Sequence, residues 1–129
     1  MVWLHVFLLS LLAVPITLAA IFGVFKSKAI EMVLWLVAML AIAWELRYVP
    51  HPLVAGLVCG FLLGLWQHVL QTALWDTYAV KNPKLGEQIA MTAEEKKMTP
   101  RKFMLVSGPM VGIVYAVVVG ALAWFAARI

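Results

Sequence analysis

The chain has 129 residues, 65% of them hydrophobic and only 12% charged, with a formal net charge of +4. An ordinary soluble domain is nearer ~45–50% apolar, so a water-soluble fold is excluded and a helical membrane protein is indicated. The single cysteine, Cys59, leaves no second thiol for a disulfide, a CxxC redox pair or a thiolate zinc site.

Four segments reach the ~20 apolar residues that cross a bilayer. They cover residues 2–25, 30–49, 53–79 and 103–127, and are read as helices one to four of a single all-α transmembrane domain over residues 1–129. The opening stretch MVWLHVFLLSLLAVPITLAAIFGVF has no basic n-region and too long an apolar run for a signal peptide, so it is expected to be a retained helix. Pro15 lies inside it and deprives the Leu11 carbonyl of its usual donor, which predicts a kink. Ser10, Ala13, Thr17 and Ala20 give this helix a face of small residues.

The short turn Lys26-Ser27-Lys28-Ala29 predicts an antiparallel hairpin of helices one and two, and Pro50-His51-Pro52 separates helices two and three. Helices three and four, joined by the loop 80–102, would form the second hairpin. Helix three spaces Gly56, Gly60 and Gly64 by four, and helix four spaces Gly108, Gly112, Ala116 and Gly120 in the same way. Small residues at this interval let two backbones approach in lipid, where no hydrophobic force drives association. Helices three and four are therefore expected to pack through these ridges. Within the loop, Asn82-Pro83 and Thr92-Ala93-Glu94-Glu95 read as helix starts. They predict short surface helices near 84–90 and 93–98. Thr99-Pro100 gives a third start just ahead of helix four, where Pro109 predicts another kink.

Eight of the ten Lys and Arg residues lie in the first turn (Lys26, Lys28) or the long loop and its ends (Lys81, Lys84, Lys96, Lys97, Arg101, Lys102), against Arg47 and Arg128 on the other side. The positive-inside rule then puts loop 80–102 in the cytoplasm and both termini outside an inner membrane. These charges face lipid headgroups, so the bilayer is the expected anionic partner and no nucleic acid is.

Beyond its glycines helix three carries Gln67, His68, Gln71, Thr72 and Asp76, a polar stripe inside an apolar run. At ~1.5 Å per residue, Tyr115 of helix four lies at the depth of Gln67 and His68, which predicts a buried hydrogen bond to one of them. Asp76 should reach the headgroups. The stripe admits two readings: a proton or solute relay centred on His68, or interhelical hydrogen bonds that only join helices.

At the opposite end His5, Glu45, Arg47, His51 and Arg128 form an outer cluster. Glu45 and Arg47 do not share a helix face, so Glu45 is expected to pair with Arg128 or His5; a metal on His5, His51 and Glu45 is chemically conceivable but follows no recognised spacing. The sequence has no GxSxG, HExxH or Walker loop and indicates no particular cofactor. Three function classes follow. The first is a non-catalytic subunit or assembly partner, bound to other membrane subunits or to itself. A small homo-oligomeric channel or transporter using the polar stripe is the alternative, and an intramembrane enzyme has no nucleophile and base to name.

Overall fold

The computed structural model describes residues 2–25 and 27–129, with Val2 by its backbone alone; Lys26, placed above in the first basic turn, lies outside the described residues. Among the described residues every regular element is an α-helix, with no strand. The elements are α1 (Val2–Ser10), α2 (Ala13–Ile21), α3 (Lys28–Leu46), α4 (Pro52–Ala73), α5 (Trp75–Lys81), α6 (Pro83–Glu95) and α7 (Pro100–Ala126). Four stretches are long and apolar enough to cross a membrane: Trp3–Ile21, Lys28–Leu46, Pro52–Ala73 and Pro100–Ala126.

Helix one is not continuous to residue 25. It breaks at Leu11 and Leu12, where the carbonyl that Pro15 leaves without its usual donor accepts instead from the Val14 N–H at 3.0 Å. It then stops at Ile21 through a left-handed Gly23 (φ +72°), whose N–H bonds to the Ala20 carbonyl while that of Val24 bonds to Ala19. This is the Schellman ending that glycine favours. A side chain at Gly23 would also press on the Lys81 carbonyl, 2.9 Å from an added Cβ. Helix two starts earlier than expected, at Lys28. The Ser27 hydroxyl accepts from the Ile30 N–H at 3.3 Å and fixes that start.

Helix three also divides. Leu74 (φ −109°, ψ 29°) separates α4 from α5, although the bonds Leu74 to Leu70 and Tyr78 to Leu74 persist across it. The bend lets Trp75 and Tyr78 pack with Ile21 and Met104 in a small core of their own. The loop holds one helix, α6, rather than two. Thr92 is inside it, its hydroxyl donating to the Gln88 carbonyl at 2.9 Å, so the capping-box reading of Thr92 is wrong. No breaker interrupts the run, because Gly86 is packed against Ala79 and the helix passes straight through it. Asn82 occupies the N-cap position of α6 with Pro83 opening the helix, as expected, but its side chain makes no capping bond. Its amide donates to the Ala20, Ile21 and Tyr78 carbonyls at 2.9, 3.3 and 3.2 Å, latching the end of α2 to α5. Thr99 does cap α7, accepting from the Lys102 N–H at 3.2 Å, and Pro109 lies inside α7 without ending it.

The most extensive contact in the molecule is α4 against α7. An added Cβ at Gly56 would lie 2.7 Å from the Gly120 Cα, one at Gly64 2.5 Å from the Gly112 Cα, and one at Gly60 would collide with the Tyr115 carbonyl. The backbones meet with no side chain between them. α1 and α2 lie along α4, whereas α3 lies mainly along α7, so contact between the first two spans is slight. The main core runs through Val6, Met39, Ile42, Leu46, Cys59, Leu63 and Val119.

Candidate functional site

The helical period turns Gln67, His68 and Gln71 inward, where they are only 7%, 8% and 5% exposed. In a low-dielectric interior such groups must find partners. Tyr115 of α7 donates its hydroxyl to Gln67 Oε1 at 2.8 Å; of the two partners offered by depth, Gln67 is the one engaged. His68 places Nδ1 3.3 Å from the Gly64 carbonyl of its own helix, so this nitrogen carries the proton and donates. Its Cβ lies against Gly108, where an added Cβ would be 2.9 Å away. Among the described residues Thr72 Oγ1 is buried with no partner, as is Thr17 Oγ1 on α2. Ser10, at the end of α1, accepts from Trp66 Nε1 at 3.3 Å and donates to the Phe7 carbonyl at 2.6 Å, tying helix one to α4.

Asp76 belongs to α5, beyond the α4 span. Arg101 donates to its Oδ2 at 2.8 Å, and both side chains are well exposed. Asp76 is thus separated from the buried stripe, as a surface ion pair of little energetic weight.

The outer cluster does not assemble. Glu45 is exposed, and among the described residues it forms no ion pair with Arg128 or His5. The two arginines turn to aromatic neighbours instead: Arg47 lies over the rings of Trp44 (3.7 Å) and Tyr48 (4.0 Å), and Arg128 over Trp124 (3.7 Å). Each also donates to the Trp carbonyl of its own helix end. A guanidinium loses less by stacking on an indole at an interface than by immobilising an exposed carboxylate. His51, which is exposed, takes a left-handed conformation (φ 56°) between its two prolines. Among the described residues no three His, Cys, Asp or Glu groups lie close enough to hold a metal ion.

The residue that the sequence reading passed over is Glu31. It is 6% exposed and paired with Lys28 Nζ at 3.2 Å. Its position near the start of helix two suggests a wet carboxylate. The legible signal was its place in the buried series Glu31, Trp35, Met39, Ile42 and Leu46, spaced by three and four along one face. Burial raises the phenol of Tyr78, on α5, to about 12, and the nearby Glu31 carboxylate pushes it the same way.

One cavity is lined by this carboxylate and a second begins at its partner Lys28. A cleft of about 480 Å³ is lined by Ser27, Lys28, Glu31, Asn82, Lys84 and Gln88 among others. A more apolar groove of about 560 Å³ runs along α3 past Lys28, Met32, Leu36 and Met39, and reaches Gln67 and Tyr115. Lys28 lines both. Trp35 also lines the groove, stacked at 5.5 Å on Tyr115, with its Nε1–H buried and without a partner among the described residues. Two further, smaller cavities lie beside Trp3 and His51 and beside Trp44 and Arg47. None of the four is lined by His68 or Gln71. Comparison of the chain with protein-family models, with curated proteins and with solved structures finds no match.

Proposed function

We propose that this chain is a non-catalytic subunit or assembly partner of a larger membrane complex. In this reading it is embedded in an inner membrane with both termini outside and α6 on the cytoplasmic side, as the distribution of Lys and Arg favours. The observation that carries the proposal is the burial of the polar stripe. Gln67, His68 and Gln71 are buried, no described cavity reaches His68 or Gln71, and Gln67 is already bonded to Tyr115. A relay through one subunit would need a wet path to His68. Gln67 instead joins α4 to α7 through Tyr115, with the small-residue ridges of the two helices providing the close approach that lipid-embedded helices use. That rigid pair then presents α3 and the outer faces to neighbours.

The test is gentle detergent extraction of the tagged chain from its own membranes, followed by native mass determination. A stoichiometric foreign membrane protein is the expected result. A clean homo-oligomer, combined with liposome flux abolished by His68→Ala, would replace this reading with the channel or transporter. That second reading draws its support from the groove, which brings open space to Gln67.

A further inference from the structure

The cleft beside Glu31 is built where two helices begin, α3 at Ser27 and Lys28 and α6 at Asn82, Pro83 and Lys84. Helix starts carry partial positive charge and favour anions. Two lysines reinforce them against one carboxylate. Since Glu31 is engaged by Lys28 at 3.2 Å, the cleft keeps one net positive charge among its described residues. Lys84 is exposed and has no carboxylate within ion-pair distance among the described residues. The groove leaves the same lysine, Lys28, and follows α3 past Met32, Val33, Leu36 and Met39. From Lys28 to Met39 is about 16 Å at ~1.5 Å per residue, half of a ~30 Å hydrocarbon core and hence the depth of one leaflet.

A cationic, polar cleft and an apolar groove one leaflet deep, with Lys28 as their shared wall, together match the charge and the apolar length of a phospholipid. We propose that it binds one anionic phospholipid of the leaflet at this end, with the phosphate at Lys84 and Lys28 and an acyl chain along α3. The net charge selects the headgroup. A singly negative lipid neutralises the cleft, whereas the ammonium of a zwitterionic lipid finds its only lining carboxylate, Glu31, already paired. The site does not depend on whether the chain is a subunit or a transporter.

The test uses the full chain in detergent, titrated with an equimolar mixture of phosphatidylglycerol and phosphatidylcholine and read by native mass spectrometry. Phosphatidylglycerol should be retained preferentially. Lys84→Gln should weaken its retention about fivefold, the worth of one well-placed cation near a lipid surface. Glu31→Gln should strengthen it, because it removes the opposing charge, and this opposite sign cannot come from misfolding. Lys102→Gln, which does not line the cleft, should leave retention unchanged. Equal retention of the two lipids would overturn the proposal, as would a loss on Lys102→Gln matching that on Lys84→Gln. It would also fall if inorganic phosphate raised the melting temperature as much as phosphatidylglycerol does, or if a copurifying protein occupied the groove and lipid failed to displace it.

Discussion

The two helices that flank α7 meet it in opposite ways. α4 comes so close that a single added carbon at Gly60 would strike the Tyr115 carbonyl and lie 2.7 Å from the Ala116 Cα. α3 meets it through side chains, with Trp35 stacked on Tyr115 at 5.5 Å, and a groove of about 560 Å³ remains along its flank. The physical difference is the size of what lies between the axes. Glycines allow backbone to touch backbone and maximise dispersion where lipid offers no hydrophobic gain, while large side chains hold helices apart and leave clefts that lipid can fill. α4 and α7 therefore form the frame of the molecule, and α3 is the side where a small molecule finds room.

This contrast can be broken most forcefully at Gly60. Gly60→Leu must push two backbones apart and should cost more than about 4 kcal/mol, beyond what a single helix contact usually supplies. Leu36→Trp, on the half-exposed wall of the groove, should change stability by no more than about 0.5 kcal/mol. Thermal unfolding in detergent compares them directly, and equal melting temperatures would end the distinction between seam and flank.

Asn82→Ala comes next. It removes the amide that bonds the Ala20 and Ile21 carbonyls, and should cost about 1–2 kcal/mol. Faster amide exchange at the end of α2, with the α4–α7 seam unchanged, would be the sign that the latch acts locally. Tyr115→Phe should cost about 1 kcal/mol by taking the donor from Gln67. A double-mutant cycle with Gln67→Leu that gave no coupling would show the bond to be idle. The smallest effect belongs to Asp76→Asn, which loses an ion pair to Arg101 between two exposed groups. A change of less than about 0.5 kcal/mol is expected, and it should vanish in high salt.

Particular residues show what could be read in advance. Composition alone requires helices, since a backbone in lipid has no water to bond, and the four apolar spans follow from length. Thr99-Pro100 marks a helix start that the fold uses, because a hydroxyl beside a proline supplies the missing partner locally. Thr92 carried an equally good local signature and sits in the last turn of α6, where its hydroxyl bonds back to Gln88 instead of opening a new helix. Gly23 could have ended helix one on the page, as glycine is the residue that adopts φ +72° without strain. The outer cluster misled because residues at one depth were treated as neighbours. Depth fixes height along the membrane normal and leaves the direction around each axis open.

What the sequence determined by itself was therefore one-dimensional: apolar lengths, the uneven placement of Lys and Arg, caps, and the residues small enough to permit contact. Those properties depend on a residue and its few chain neighbours. The tertiary structure decided which helix lies beside which. It set α3 against α7 instead of against the first span, gave the Asn82 side chain a latch in place of a capping bond, and buried Glu31 on Lys28 beside a cleft. Such pairings depend on how side chains of different size fill the space between four axes at once, and no local spacing encodes that.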